Sequence, residues 1–297
     1  MIINREELIN NYKNYLKTLG KSEETIRSYR NALNRFLNDT QFETIEEITE
    51  LNQLFMLDYA NSLREEIAVS TINKHIKQLS SFYQYLMVNG LAKSNPCFRL
   101  PSLNNNNNEY KEKVLSDEQA KSILKATEQF KEYDKKNELR DKTLIFLLLN
   151  CGLRIGEVSR VKIKDIDLNN NKLFVRGKGH NGNVSRYTNF NNLTKGLIIQ
   201  LISKDPTREY LFINYKGDQL SDQTIRKVWY RACEIADVKG FSPHSVRHFL
   251  GSSLVAKGVE LKKVAQVLGH GSYKTSERYY VKQKESVTDI LDVVDIF

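Results

Sequence analysis

Cysteine is scarce: the chain of 297 residues has three, Cys97, Cys151 and Cys233. They are widely separated and form no C-x-x-C pair, which excludes a disulfide scaffold and a cysteine-built zinc site and points to a reducing compartment. Proline (4) and glycine (14) are also few, too few for a turn-rich β-sandwich, so mostly helical structure is expected. Long apolar runs are missing. The strongest, Leu144 to Leu149 and its flanks, is bounded by Lys142 and Arg154, well short of the ~20 residues that span a bilayer. The opening MIINREELINNYK has acidic and amide residues where a signal peptide needs an apolar stretch. A soluble, cytoplasmic protein with no membrane partner is expected. There is no G-x-x-x-x-G-K-[ST] loop and no clustered acidic pair to serve as a two-metal site.

What is abundant is positive charge. Lys and Arg total 45 against 36 Asp and Glu, a formal net charge of +9, which suits a polyanionic partner. The length suits two ordinary domains. Hydrophobic periodicity is absent from about Ser94 to Lys113, a stretch holding Asn95-Pro96, Leu100-Pro101-Ser102 and the run Asn104 to Asn108. An interdomain linker is placed there, over 104–112, between domains 1–103 and 113–297. Residues 1–103 hold 12 basic and 12 acidic side chains, leaving 33 basic and 24 acidic beyond them, so all of the net charge follows the first domain.

The first domain reads as helices. Ser22 can cap a helix start, although Ser22-Glu-Glu-Thr25 lacks the Glu or Gln of a capping box. Beyond it Ile26, Tyr29, Leu33 and Phe36 recur at helical spacing, as one buried stripe. From Ser70 to Tyr85, Lys74, His75 and Lys77 accompany Ile72, Ile76, Leu79 and Phe82, giving a helix with a cationic face and a core face. That cationic face reads either as a DNA contact or as an ordinary solvated surface.

In the second domain, Ser116-Asp-Glu-Gln119 has a helix-start form. A helix from about Asn137 runs through Thr143 to Leu149 and stops at Cys151-Gly152, where glycine supplies a left-handed end; it is expected to be the central core helix. Leu173 to Arg176 and Asn183 to Tyr187, around Gly177-Lys178-Gly179-His180-Asn181-Gly182, predict two strands joined by a glycine-rich turn. Helices resume at Leu193 to Leu201, Ser221 to Ala236, Ser242 to Lys257, Leu261 to Leu268 and Thr275 to Tyr280. No internal repeat is present.

Several chemically capable residues fall at element ends, where a rigid scaffold can aim them: Arg154 past the core helix, Lys178 at the hairpin tip, and His244 with Arg247. Residues three apart on a helix share a face. Ser242-Pro243 predicts the cap and first position of that helix, placing His244 at the positive end of its dipole, where an anion is favoured. Alone, His-x-x-Arg describes a structural histidine beside a surface arginine equally well.

Gly152-Leu-Arg154-Ile-Gly-Glu157, Gly177-Lys178-Gly179, Pro243-His244-Ser-Val-Arg247-His248, Leu268-Gly269-His270 and Tyr279, in that order and with nine residues from His270 to Tyr279, together resemble the tyrosine recombinases of the phage integrase family. Ser22-x-x-Thr25-x-x-x-Tyr29-x-x-x-Leu33-x-x-Phe36 and Ser80-Ser-Phe82-Tyr-Gln-Tyr85-Leu86 followed by Asn95-Pro96 are similar to that family's helical, SAM-like core-binding domain. Overall length is most similar to the Xer group. Each motif alone has an ordinary structural reading; five in one order do not share one. Gly271, Phe249-Leu-Gly after Arg247-His248, and the asparagines flanking the second hairpin strand depart from the commonest pattern and bear on the subgroup.

The resemblance implies a mainly α fold with a small antiparallel sheet, two domains forming a C-shaped clamp on duplex DNA. It implies catalytic roles for Arg154, Lys178, His244, Arg247, His270 and the nucleophile Tyr279, with neither cofactor nor metal. A phosphodiester resists attack because the incoming phenolate meets an anion and charge accumulates on the non-bridging oxygens, so fixed cations are required. Two guanidiniums can clamp those oxygens bidentately and stay charged at any working pH, replacing a metal ion. A tyrosine hydroxyl, with a pKa near ~10, needs a proton acceptor; the family assigns that help to His244, the proton for the leaving 5′ oxygen to Lys178, and orientation to His270. Glu157, one turn beyond Arg154, is expected to orient that arginine or its helix instead of touching substrate. Tyr280, ~100° away from Tyr279 on a helix, is the rival nucleophile that the nine-residue spacing rejects.

Further expectations concern partners. Lys74, Lys77, Gln223 and Arg226 are candidate DNA contacts. Val287, Ile290, Leu291 and Val294 form one apolar stripe before Ile296-Phe297, a tail suited to docking on a second copy or a related recombinase in a cyclic tetramer. The target is expected to be double-stranded DNA with paired inverted arms. The expected function is site-specific recombination through a 3′-phosphotyrosyl intermediate, in Xer-like multimer resolution and chromosome partition or in integration and excision of a mobile element. Relaxation of DNA in the manner of a type IB topoisomerase, and a non-cutting DNA-binding regulator, are the alternatives.

Overall fold

A computed structural model of the protein describes residues 4–104, 114–177 and 185–269. The chain divides into two compact units, Met1–Tyr110 and Lys111–Phe297.

In the first unit all the α-helices but α5 begin where short polar side chains satisfy the free N–H groups of the first turn. They are α1 (Arg5–Thr18), α2 (Glu23–Thr40), α3 (Ile45–Thr49), α4 (Gln53–Ser62) and α5 (Val69–Val88). Asn4, Ser22, Thr44 and Asn52 cap the first four, and Thr44 with Glu47 completes a capping box. The core joins Leu8, Tyr12 and Leu16 to Ile26, Leu33 and Phe36 and to Ile72, Leu79, Phe82 and Leu86. Tyr29 of the expected stripe is half-buried at the edge of that core.

One residue of the expected cationic face on α5 is not on it. His75 is buried, its Nε2 3.1 Å from the Tyr59 hydroxyl, which donates to Asp39 at 2.8 Å. A neutral imidazole that can hydrogen-bond is compatible with the core in a way that a lysine is not. Lys74 and Lys77 are exposed, as expected. The aperiodic stretch after Ser94 is also more ordered than its composition suggests. Asn95 donates to the Ser80 carbonyl at 3.0 Å, and Asn73 both donates to and accepts from the Leu103 backbone at 2.9 Å, so the chain up to Leu103 is fastened along α5 by side-chain amides.

The second unit contains α6 (Asp117–Ala126), α7 (Phe130–Asp134), α8 (Glu138–Cys151), α9 (Ile155–Val158), a sheet of β1 (Ile166–Asp167), β2 (Lys172–Val175) and β3 (Arg186–Asn189), then α10 (Asn192–Ser203), α11 (Asp222–Ile235), α12 (Ser245–Ala256) and α13 (Leu261–Leu268). The Ser116–Gln119 capping box opens α6. As predicted, α8 is the central helix: it packs against α6, α7, α10, α11, α12 and β3, with Leu144, Ile145, Leu148 and Leu149 fully enclosed. The sheet is antiparallel in the order β1-β2-β3, with Val175 opposite Arg186 and Leu173 opposite Thr188.

Strand β3 is described over Arg186–Asn189, Asn183 and Val184 of the expected second strand lie outside the described residues, and β1, two residues long, has no legible alternation. Helix α12 starts at Ser245, later than Ser242-Pro243 predicts. Its entry is a tight turn, with Ser245 N–H to the Ser242 carbonyl at 2.9 Å and His244 N–H to Ser242 Oγ at 3.2 Å. All three cysteines are free and buried. Among the described residues no helix is long and apolar enough to cross a membrane.

Candidate functional site

The corner after α8 depends on glycine. Gly152 adopts φ 55°, and a Cβ there would stand 2.8 Å from Leu250 Cδ2 and 3.2 Å from Leu268 Cδ2. The left-handed turn buries Leu153 and leaves Arg154 extended as the residue that opens α9.

One turn on, Glu157 gathers the site. Its Oε2 accepts the Arg154 backbone N–H at 2.8 Å and its Oε1 accepts Arg154 Nη1 at 2.9 Å. Arg186, from β3, donates Nη1 to Oε1 and Nη2 to Oε2, each at 3.0 Å. Arg247, from α12, brings Nη1 to 3.8 Å from Oε2. Burial alone would raise the Glu157 carboxyl; the Arg186 hydrogen bonds and charge, the Arg154 N–H and the Arg247 charge outweigh it and hold the group down at about 2. Glu157 is therefore an anion at any working pH, set among three guanidiniums. It orients Arg154 as the sequence suggests.

The same three arginines close the end of α13. Arg186 Nε donates to the Val267 carbonyl at 2.7 Å, Arg247 Nη2 to Leu268, and Arg154 Nη2 to Gly269 at 3.2 Å. Carbonyls at a helix C-terminus lack intrahelical partners and carry the negative end of the dipole, so cations are favoured there. Gly269 makes the approach feasible: its φ is 64°, and a Cβ would lie 2.7 Å from Arg186 Nη1. Arg247 also donates Nη1 to the Gly152 carbonyl at 2.6 Å, which ties α12 to the α8 corner.

Exposure separates the two expected phosphate clamps. The Arg154 side chain is 30% exposed, whereas that of Arg247 is 1% exposed; it is no surface arginine. His244 is exposed, immediately before α12, with its ring edge-on to His248 at 5.0 Å between centroids. Burial and the charge of Arg247 lower the His248 pKa.

The structure thus brings Arg154 and Arg247 together around Glu157 and puts His244 one turn ahead of Arg247. Lys178, His270 and Tyr279 lie outside the described residues, as do Tyr280 and the tail from Val287 to Phe297. Gln223 and Arg226 are exposed on α11. The start of that helix lies beside α9, where a Cβ on Gly156 would be 3.4 Å from Asp222 Oδ2. Lys74 and Lys77 belong to the other unit. Among the described residues no group of three or more His, Cys, Asp or Glu is placed to hold a metal ion.

Sequence reasoning missed Arg186. An arginine in a short strand among asparagines reads as solvent-facing. Here Arg186 and Thr188 point inward while Tyr187 is 64% exposed, the reverse of what hydrophobicity suggests. The available signal was the acidic Glu157, which a buried site obliges to find a cation.

Comparison with known proteins gives the family and the fold. The phage integrase family profile matches residues 113–286, and that of the phage integrase N-terminal SAM-like domain matches residues 9–90. A tyrosine recombinase XerC of Staphylococcus epidermidis is 31% identical over 269 residues, covering 87% of this chain and 86% of that protein. A tyrosine recombinase XerC of Thermodesulfovibrio yellowstonii is 26% identical over 302 residues, covering 97% and 96%. Among solved structures, the XerH site-specific recombinase bound to a palindromic difH substrate superposes with a TM-score of 0.73 at 20% identity, covering 88% of this chain and 77% of that one. A lambda integrase dimer bound to a core site gives 0.69 at 15%, covering 92% and 97%.

Proposed function

The chain belongs to the phage integrase family of tyrosine recombinases, and from that premise we propose that the cluster around Glu157 forms the cationic wall of a pocket for one DNA phosphodiester. The protein is a tyrosine-type site-specific recombinase that cleaves and rejoins DNA. The observation that carries the pocket is the convergence of Arg154 and Arg247 on one carboxylate and on the adjacent carbonyls of Leu268 and Gly269.

In this reading Arg154 and Arg247 hold the two non-bridging oxygens and neutralise the charge that grows on them. The Tyr279 oxygen attacks phosphorus, and its proton passes to His244. The bond from phosphorus to the 5′ oxygen breaks, and Lys178 gives that oxygen a proton. The strand is left joined to Tyr279 by a 3′-phosphotyrosyl bond, so the ester's energy is kept for the reverse attack by a 5′ hydroxyl of a partner strand. His270, directly after the carbonyls that the arginines hold, bonds a non-bridging oxygen. Arg247 reaches a phosphate by exchanging its carbonyl partners, which couples DNA binding to a shift at the end of α13.

Lys74 and Lys77 on α5, and Gln223 and Arg226 on α11, supply backbone contacts to the duplex. Phosphate contacts dominate affinity, and paired inverted arms bring two copies together. The tail around Val287 to Val294 docks on a neighbouring copy in a cyclic assembly. An apolar cleft of about 490 Å³ lined by Tyr187, Phe190, Phe249, Leu250, Leu254 and Val267 is a surface of matching character. Similarity to XerC proteins over most of the chain favours resolution of replicon multimers inside the cell over integration of a mobile element.

The test uses a footprinted cognate site carrying a nick beside the scissile phosphate. Wild type accumulates a covalent protein–DNA adduct, and Arg154→Ala and Arg247→Ala each slow its formation by about 100-fold or more. Wild-type reaction rates in both variants would remove the two arginines from the pocket.

A further inference from the structure

Arg186 has no part in the scheme above, yet it touches both α9, through Glu157, and the end of α13, at Val267 and Gly269. It is the first residue of β3, so it follows directly on the hairpin segment that carries Lys178. Its side chain is 6% exposed. It holds both oxygens of Glu157 and the carbonyl of Val267, and its guanidinium fills the space left by the missing side chain of Gly269.

The pattern of donors gives this contact a chemical consequence. A carboxylate and a guanidinium side by side favour a two-pronged pair. Arg186 has that pair with Glu157, both bonds at 3.0 Å. Arg154, nearer in sequence, is left with one prong from its side chain, Nη1 to Oε1 at 2.9 Å, and it remains 30% exposed. With Arg186 absent, Glu157 is free to turn and take both prongs of Arg154, the donors that a phosphate needs.

We propose that Arg186 is a positioning residue for the strand-transfer reaction: it occupies the Glu157 carboxylate so that Arg154 keeps a guanidinium edge open to the scissile phosphate, and it holds the end of α13 beside that edge. The inference rests on the pocket reading given above. It makes Glu157 a restrained competitor of the substrate phosphate as well as an orienting group.

The test is single-turnover adduct formation on the nicked substrate at saturating DNA, with DNA affinity and thermal unfolding measured alongside. Arg186→Met slows adduct formation by about 100-fold, on the scale of losing one preorganised donor, while the DNA dissociation constant changes less than about threefold, because this side chain meets no phosphate. Adding Glu157→Gln removes the competing charge, and the double variant reacts about tenfold faster than Arg186→Met alone, a coupling that loss of packing does not produce. Arg186→Lys, which keeps the charge but not the fork, reacts at a rate between wild type and Arg186→Met and serves if the Met variant fails to fold. A wild-type rate in Arg186→Met or Arg186→Lys overturns the proposal, as does a double variant no faster than Arg186→Met. Absence of any adduct with wild type overturns the pocket reading itself, and this inference with it.

Discussion

Glu157 binds Arg154 at both ends, accepting its backbone N–H at 2.8 Å and its Nη1 at 2.9 Å. One carboxylate therefore fixes where Arg154 starts and where its guanidinium points, a preorganisation that a flexible surface arginine lacks.

Removing that charge is expected to cost both stability and rate. Glu157→Gln keeps the shape but leaves three guanidiniums facing no anion, and breaking a buried pair of this kind costs roughly 3–5 kcal/mol. Urea unfolding measures the loss. The pH dependence follows in sign. The Glu157 carboxyl is held at about 2 in the folded chain, below its unfolded value, so its contribution is complete above about pH 4.5 and disappears as pH falls toward 2. Wild type loses stability through that window, and Glu157→Gln loses less.

His75 titrates with the same sign in a higher pH window. Burial and the nearby Arg35 charge lower it to about 4, so the unfolded chain binds the extra proton first and stability falls as pH drops from about 6.5 to 4. A shift of this size corresponds to about 3 kcal/mol. His75→Gln, which keeps a polar partner for Tyr59, flattens the unfolding free energy across that range. An unchanged slope would place the histidine in water.

Gly269→Ala forces a side chain into the Arg186 guanidinium at φ 64°. It is expected to destabilise by about 1–3 kcal/mol and to slow adduct formation at least about tenfold, since it displaces Arg186 beside the proposed phosphate pocket. Gly196, inside α10 with open space around it, is the control: Gly196→Ala stabilises by about 0.5–1 kcal/mol. Thermal or urea unfolding of both variants separates local strain from a general response to alanine.

Lys74→Ala and Lys77→Ala are expected to weaken binding of all duplexes alike and to reduce the slope of log affinity against log salt by about 0.9 for each phosphate no longer neutralised. Fluorescence anisotropy over a salt series measures it. An unchanged slope would make that side of α5 plain solvated surface.

Local chemistry is legible in the sequence itself. Ser22, Ser116 and Gly152 mark helix ends by their own side chains or lack of one, and α8 announces itself as core because Leu144 to Leu149 have nowhere else to go. The site is legible in part: Arg154, His244 and Arg247 stand where glycine and proline punctuate the chain. What is illegible depends on distant partners. His75 looks cationic until Tyr59 and Asp39 fold beside it, and Arg186 looks exposed until Glu157, far away in sequence, supplies its counter-charge. A two-residue strand such as β1 carries no periodicity at all.

In the proposed reaction one phenol, served by this arginine cluster, takes the DNA strand. Mass spectrometry of the nuclease-trimmed adduct identifies the residue that carries the nucleotide. A modified Tyr279 and an unmodified Tyr280 are expected, with no adduct from Tyr279→Phe; nucleotide on Tyr280 or on any other side chain would contradict that assignment.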